Sequence, residues 1–374
     1  MHIEITQLLE HEICHHASTD LLLTSKGNRV FAERRPPSAA PVRAEVLLPV
    51  RGWKRCLLPF RVARRACRLD KMNVVPVEGG LVILHQGRIY RAEWPADAPD
   101  KSNLTPVQTG ILRNCRNVLH QSICVLDGGR TLYFGEYGAN PGRGEVPVWR
   151  SRDAGRSWEV AFLFPPGKIK HIHGCYHDPF EDRIWTLTGD FAGECYLLCS
   201  DRDFQNVEWI GNGAQEYRAC NLFFEPDGIH WVMDSQLQDS RHIRLDRATR
   251  RISQGKVFPG PGWYFKRLAG GWKLATTAVE IGPGVHDNFA HVLATRDFEE
   301  WTEVARFRHD GLPKRYFKFG VLAFADGGQA EDAFYMFGEA LRGIEGRIAL
   351  CRLKGIPDPK PAMAITPENK SVPT

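Results

Sequence analysis

A strand–turn–strand pattern recurs about every fifty residues along this chain and constrains the fold more than any other feature. In each copy, an aromatic-rich second strand ends in an acidic residue. These acids are 44 to 59 residues apart, at Glu136, Asp190, Asp234, Glu280 and Glu339. A repeat of this length matches a four-stranded propeller blade. Because long helical periodicity is nearly absent as well, the sequence predicts an all-β propeller.

The repeat gives six blades between residues 68 and 353. They cover 68–110, 113–165, 169–213, 215–258, 261–310 and 314–353. The last blade lacks an obvious fourth strand, and a propeller closes its ring to hide sheet edges. We therefore predict a six-bladed propeller closed by the N-terminal strands "LLLTS" (21–25) or "VFAERR" (30–35). The alternative is a seven-bladed ring in which residues 1–60 form the additional blade.

Two segments stand apart from the blades within a predicted single domain over residues 1–353. The segment 55–69 is a basic helical insert, with apolar residues expected on one side and five arginines carrying the charge. Such a helix either covers the propeller or docks onto an anionic membrane surface. The Pro-rich segment 354–374 is predicted to be a disordered tail.

The octet "SRDAGRSW" (151–158) predicts a tight hairpin turn, because Asp153 can accept hydrogen bonds from nearby amides and Gly155 allows a positive φ. It resembles the Asp-box, or BNR, repeat of sialidase-like β-propellers, Ser-x-Asp-x-Gly-x-x-Trp. Degenerate copies occur at the same phase, at 24–31, 200–209 and 295–301. The resemblance implies a divergent member of that superfamily, in which the box is a blade corner distant from the active site.

Charge and composition limit the class of partner and the compartment. The net charge of +5 fits an anionic ligand and is too small to indicate nucleic-acid binding. The ten cysteines contain no Cys-x-x-Cys pair, so neither a zinc finger nor a disulfide framework is expected. The N-terminus lacks the apolar region of a signal peptide, and no apolar run reaches membrane-spanning length, so we expect a cytoplasmic protein.

Propeller topology places the candidate functional residues. First strands start, and second strands end, on the same face of the ring, so side chains distant in sequence should meet there. The predicted catalytic residues are His171, His173, Tyr264, Asp190 and Glu136. The predicted substrate-binding residues are Arg218, His120, Asn73, Lys266, Arg315, Tyr316 and Asp234. This mixture of residue types suits acid–base chemistry on a polar, anionic ligand.

Two of these groups have alternative interpretations. His171 and His173 project to one face of a strand, so they could act in catalysis, pack structurally or bind a divalent metal. No cofactor is expected, and this metal is the open alternative. The recurring acids could instead bind backbone amides of the neighbouring blade, with Asp190 and Glu136 as the expected exceptions.

The predicted function is cleavage of a glycosidic bond in an anionic glycan of the uronic- or sialic-acid type, by hydrolysis or β-elimination. The sialidase signature Phe/Tyr-Arg-Ile-Pro is similar to residues 60–63, but Ala63 replaces the proline, so the family's arginine triad is not transferred. His171, His173, Tyr264 and Arg218 are similar in type to the residues of propeller polysaccharide lyases. The alternative is a non-catalytic propeller that binds a glycan or a protein partner.

Overall fold

The computed structural model describes residues 1–356, and its strands form seven sheets arranged as the blades of a propeller. This arrangement confirms the predicted all-β propeller. The ring has seven blades, which is the alternative that the sequence left open, so the favoured count of six was wrong. The predicted tail covers residues 354–374, and its residues from 357 onward lie outside the described part of the chain.

The N-terminal part of the chain forms β1 and the first two blades. It begins with β1 (His2–Leu9). Blade 1 consists of β2 (Ile13–Ala17), β3 (Leu21–Lys26), β4 (Arg29–Arg34) and β5 (Val42–Leu47). Blade 2 consists of β6 (Met72–Val77), β7 (Gly80–His85), β8 (Arg88–Glu93) and β10 (Pro106–Ile111). The short β9 (Ser102–Leu104) leaves blade 2 and pairs in parallel with β5, covering the edge of blade 1.

The remaining blades follow the predicted boundaries closely. Blade 3 contains β11 (Cys124–Leu126), β12 (Thr131–Gly135), β13 (Val146–Ser151) and β14 (Glu159–Phe164). Blade 4 contains β15 (His171–Asp178), β16 (Arg183–Gly189), β17 (Cys195–Ser200) and β18 (Val207–Gly213). Blade 5 contains β19 (Phe223–Phe224), β20 (Gly228–Val232), β21 (Arg241–Asp246) and β22 (Ile252–Val257). Blade 6 contains β23 (Gly262–Arg267), β24 (Lys273–Thr277), β25 (Phe289–Thr295) and β26 (Thr302–Arg308).

Blade 7 closes the ring with strands from both ends of the chain. Its inner strands are β27 (Val321–Phe324), β28 (Phe334–Glu339) and β29 (Ile348–Lys354). The outer strand is β1, which pairs antiparallel with β29 from His2 opposite Lys354 to Leu9 opposite Ile348. The strands expected to close the ring, 21–25 and 30–35, belong instead to blade 1.

The helices are short. Two α-helices, α1 (Arg61–Cys67) and α2 (Lys314–Phe317), accompany 3-10 turns at Gly52–Leu57, Asp127–Gly129 and Gln215–Tyr217. Over residues 1–356, no helix has the length and apolar character needed to span a bilayer. All ten cysteines are free thiols, and eight are buried.

Within α1, the basic segment 55–69 packs in the opposite sense to the prediction, whereas Leu69 is buried and Arg55 and Arg68 are exposed as expected. Val62 is 59% exposed, whereas Arg64 and Arg65 are buried. Arg64 forms an ion pair with Glu12, and Arg65 forms one with Asp310. The apolar-face prediction was wrong because carboxylates distant in sequence provide buried partners for the arginines. The segment therefore holds blades together at the place where the ring closes.

The octet 151–158 is a hairpin turn with satisfied polar groups. The amide of Gly155 donates to Ser151 Oγ at 2.8 Å, and the amide of Ser157 donates to Asp153 Oδ1 at 2.9 Å. Trp158 Nε1 donates to Thr109 Oγ1 of blade 2 at 3.1 Å, so the turn also links two blades. The turn lies on the face opposite the starts of the first strands, and its contacts are structural.

Replacement of Gly155 by alanine should destabilise the ring. Gly155 has φ = +84°, and a β-carbon there would collide with Val82. Gly167 is the matched control, because its φ is +81° and nothing lies within 4 Å of the added carbon. We expect Gly167→Ala to lower the free energy of unfolding by about 1–2 kcal/mol, and Gly155→Ala by about 1–3 kcal/mol more. Urea denaturation measures both, and equal losses would contradict the packing argument.

Candidate functional site

The face where the first strands start, here called the rim face, brings together residues from two neighbouring blades. Asp190 follows β16, Arg218 precedes β19 and Asp234 follows β20. Arg218 bridges the two acids, with Nη2 3.1 Å from Asp190 Oδ1 and Nε 3.1 Å from Asp234 Oδ2. The ring topology thus unites side chains from blades 4 and 5, as the sequence predicted.

His171 and His173 point at the same carboxylate. Oδ1 of Asp190 lies 3.2 Å from Nε2 of each ring. The strand pairing shifts register between Ile172 and Gly174, and such a bulge redirects a side chain. Gly189 leaves room for this arrangement, because a β-carbon there would lie 2.8 Å from Cε1 of His173. We call His171, His173, Asp190, Arg218 and Asp234 the rim cluster.

The charges of the rim cluster are almost completely removed from solvent. The Arg218 side chain is only 4% exposed. Burial alone would lower the pKa of Arg218, but Asp234 and Asp190 raise it, so the guanidinium stays charged.

Glu280, which follows β24, extends the cluster into blade 6. Trp263 Nε1 donates to Asp234 Oδ1 at 2.8 Å and to Glu280 Oε1 at 3.0 Å. Burial and the neighbouring Asp234 carboxylate raise the pKa of Glu280 to about 8. Glu280 is therefore mainly protonated at neutral pH, which limits the repulsion among the buried acids.

A cavity of about 540 Å³ opens on the rim face beside His171. Its lining has a strongly basic character, with Arg68, Lys71, Arg116 and Lys170. Aromatic and amide side chains complete much of the wall: Tyr137, Trp263, Phe319, Asn114 and Asn117. Among the described residues, no carboxylate side chain lines this cavity. Lys71 and Lys170 are paired with Glu339 and Asp190 behind the wall. Within residues 1–356, the unpaired positive charge is therefore that of Arg68 and Arg116, and it suits a polar anion.

Two side chains that line the cavity have proton-transfer chemistry: His171, which belongs to the rim cluster, and Tyr137, which lies against it. Their ring centroids are 4.2 Å apart. Burial and the nearby Asp190 carboxylate raise the pKa of Tyr137 well above its ordinary value. The Tyr137 hydroxyl therefore remains protonated at neutral pH and can act as a proton donor.

Two of the predicted residues hold blades together. Glu136 accepts hydrogen bonds from the amides of Arg113 and Asn114 at 2.7 and 2.8 Å, and from Trp149 Nε1 at 3.0 Å. It was expected to be an exception to this blade-linking role, but its contacts are of that kind. Asn73 Nδ2 donates to the Leu119 carbonyl at 2.8 Å, between blades 2 and 3.

The other predicted residues are spread along the channel and over the rim. His120 and Tyr264 are buried inside the channel, with ring centroids 5.9 Å apart. Lys266 is at the opposite end, donating to the carbonyls of Ala325 and Gly327 at 2.7 and 2.6 Å. Arg315 and Tyr316 are exposed on α2. None of these five lines the rim cavity.

The cavity also contains residues outside the predicted set. Lys71 and Lys170 directly precede the first strands of blades 2 and 4, and Tyr137 follows the recurring acid Glu136. Their position next to strand starts and ends is the sequence signal that could have identified them. Arg68 and Arg116 lie in connecting segments and carry no comparable signal.

Comparison with known proteins supports the fold and goes no further. No protein-family model matches the chain, and no curated protein matches it. It is similar to the solved structure of YCF48 bound to D1 peptide, at 10% identity over 96% of this chain and 97% of the other, with a TM-score of 0.54. It is also similar to the extracellular domain of a protein assigned as the hybrid two component system BT4673 from B. thetaiotaomicron, at 12% identity. That match covers 93% of this chain and 39% of the other, with a TM-score of 0.51.

The raised pKa of Glu280 should make Glu280→Gln progressively more stable than the wild type as pH rises. The unfolded carboxyl ionises near its ordinary pKa, whereas the folded one keeps its proton until about pH 8. Wild-type stability relative to the variant therefore falls between about pH 4.5 and 8 and is level above that range. Urea denaturation at several pH values measures the difference.

Glu339→Gln is the matched control for that experiment. Burial alone would raise the pKa of Glu339, but Lys318 and Lys71 hold it well below its ordinary value. The Nζ atom of Lys318 lies 3.0 Å from Oε1 of Glu339. This variant should be less stable than the wild type at neutral pH. The Glu339 carboxylate is ionised in both the folded and the unfolded wild type above about pH 5, so its own titration leaves the difference constant from there to about pH 7. A Glu280→Gln difference that is equally constant would contradict the protonated state of Glu280.

Proposed function

We propose that this propeller binds an acidic carbohydrate in the rim cavity and cleaves one of its glycosidic bonds. The observation that carries the proposal is the cavity lining, which combines four basic side chains with His171 and contains no carboxylate among the described residues. Such a lining favours an anionic ligand. The volume of about 540 Å³ is within the range of small-molecule sites and accommodates one or two sugar rings.

The basic side chains provide carboxylate recognition. Arg68 and Arg116 are exposed and form no ion pair within residues 1–356. A guanidinium can bind a sugar carboxylate through two parallel hydrogen bonds. Asn117 adds a buried Oδ1 that has no hydrogen-bond partner in the described part of the chain, and this oxygen can accept a hydrogen bond from a sugar hydroxyl.

Bond cleavage requires proton transfer at the cavity wall. Tyr137 and His171 are placed to provide it, and Asp190 lies behind His171. In β-elimination, His171 as the base would remove the proton beside the uronate carboxylate, and cations would stabilise the developing negative charge. Lys170 and Arg116 would have that stabilising role. Tyr137 would protonate the glycosidic oxygen as its bond to that sugar ring breaks. Hydrolysis would use the same groups to protonate the leaving oxygen and activate water.

Membership of the sialidase-like superfamily is part of this proposal. The octet 151–158 supports it, and so does the shared turn geometry of its degenerate copies. Ala154, Phe204 and Phe298 occupy the same place in three turns, and each has a positive φ between 56° and 66°. A repeated turn with the same backbone geometry is expected of blades that descend from one repeat.

The second candidate is a non-catalytic propeller that binds a protein segment. The observation that favours it is the fold similarity to YCF48, whose solved structure is bound to D1 peptide. In this case the basic lining would recognise acidic side chains of a peptide, and the ligand would leave unchanged. Docking to a membrane through 55–69 would depend on Arg55 and Arg68, because Arg61, Arg64 and Arg65 form internal ion pairs.

Removing the two unpaired arginines should weaken binding of acidic oligosaccharides. We expect Arg68→Ala/Arg116→Ala to lower the affinity for a uronic-acid oligosaccharide by about tenfold or more, because each charge-assisted bond contributes about 1.5–3 kcal/mol. The control is Arg251→Ala, an exposed arginine outside the cavity. Titration calorimetry with acidic and neutral oligosaccharides measures the effect. Equal affinity for both sugars would contradict anionic recognition.

Turnover should depend on Tyr137. We expect Tyr137→Phe to reduce the cleavage rate by about 10²–10⁴-fold with the fold intact, since it removes one proton-transfer group. Tyr90→Phe, in blade 2 away from the cavity lining, is the control. Product analysis distinguishes the routes: an unsaturated uronate absorbing in the ultraviolet means elimination, and a new reducing end alone means hydrolysis. Saturable binding without any product would contradict catalysis and favour the second candidate.

A further inference from the structure

Three donor atoms of the rim cluster form an equilateral triangle. Nε2 of His171, Nε2 of His173 and Oδ1 of Asp190 are separated by 3.2 Å in each of the three pairs. Tetrahedral zinc holds nitrogen and oxygen ligands at about 2.0–2.1 Å, which places neighbouring ligand atoms about 3.3 Å apart. The triangle therefore has the dimensions of three corners of a tetrahedral metal site.

The histidine tautomers leave lone pairs inside the triangle. Nδ1 of His171 lies 2.8 Å from the Gly138 carbonyl oxygen, and Nδ1 of His173 lies 2.8 Å from that of Ala219. A carbonyl oxygen can only accept, so each Nδ1 carries a hydrogen, and in that tautomer Nε2 is the acceptor nitrogen of the ring. A backbone carbonyl bonded to the far ring nitrogen is the usual support of a metal-ligating histidine. A cation placed between these three atoms would be bound by a lone pair from each of them.

We propose that His171, His173 and Asp190 bind a divalent transition-metal ion, and zinc is the ion that fits best. Two imidazoles and one carboxylate are typical zinc ligands, and three protein ligands leave a position for water or substrate. His171 also lines the rim cavity, so the metal lies at the cavity wall. Asp190 can accept from Arg218 and ligate the metal at once, because a carboxylate has about four lone-pair sites.

The surrounding charges allow an additional cation. The carboxylates of Asp190 and Asp234 are matched by two cations, Arg218 and Lys170, whose Nζ lies 2.5 Å from Asp190 Oδ2. The protonated carboxyl of Glu280 beside them can release its proton when a further cation binds. This inference does not depend on carbohydrate binding. If the metal is present, neither ring nitrogen of His171 is free, and Tyr137 becomes the proton-transfer group of the cavity.

The test measures zinc uptake by the full chain after chelator treatment, with zinc sulfate as the only added ligand. We expect one zinc ion per chain, and an affinity at least about tenfold lower in His171→Gln and in Asp190→Asn. The matched control is His177→Gln, because His177 lies on the same strand but outside the proposed site. Its Nε2 lies 2.8 Å from Oδ1 of Asp182. No zinc uptake by the wild type, or uptake unchanged in both ligand variants, would overturn the proposal.

X-ray absorption of the zinc-loaded wild type provides a test that does not depend on variant folding. His173 also belongs to a second set of donors with Cys220 and Asp234, which lie within 4.8 Å of one another. The proposed site predicts only nitrogen and oxygen neighbours at about 2.0–2.1 Å. A sulfur neighbour at about 2.3 Å would place the metal at Cys220 and overturn the assignment.

Discussion

The pairing of β1 with β29 is the constraint on which the rest of the structure depends. It joins the two ends of the described chain in one sheet, so that blade 7 has four strands and neither edge of the ring is left open. Contacts across the closure add to it: Arg61, between blades 1 and 2, pairs with Glu345 of blade 7, and Lys71 lies 3.8 Å from Glu339. Because the ring is closed, residues at the start of the first strand in one blade are held close to residues at the end of the second strand in another blade. Together these residues form the rim face.

Buried charge is the main physical feature of that rim. Taking a guanidinium and two carboxylates out of water is costly unless each finds a partner. Arg218 meets this requirement by contacting Asp190 and Asp234 together, and the protonated Glu280 keeps a third negative charge out of the same volume. The cavity beside the cluster is then lined by cations and aromatic rings. Binding of an anion and binding of a metal are consistent with one another here, since a metal would add positive charge at the wall.

The sequence predicted the six blades that carry the repeat and included the one that lacks it only as the alternative. Blade 1 has no aromatic strand ending in an acid, and β9, which covers its edge, comes from residues 102–104 inside blade 2, so local pattern does not reveal it. Convergence of His171, Asp190 and Arg218 followed from topology alone. The roles of Glu136 and Lys266 did not, because backbone amides and carbonyls act as their partners, and these are invisible in a residue pattern. The buried arginines of α1 were missed for a related reason, since their hydrogen-bonded acidic partners, Glu12 and Asp310, are 52 and 245 residues away in sequence.

Hydrogen exchange with and without a uronic-acid oligosaccharide tests most directly whether the rim cavity is the binding site. The account predicts slower exchange of amides in 68–71, 113–119 and 168–171, which border that cavity. A second cavity, of about 470 Å³, lies at the opposite end of the channel and is lined by 222–224 and 265–267. Protection confined to those segments would contradict the account, because it would place the ligand on the face where the rim cluster and its charges are absent.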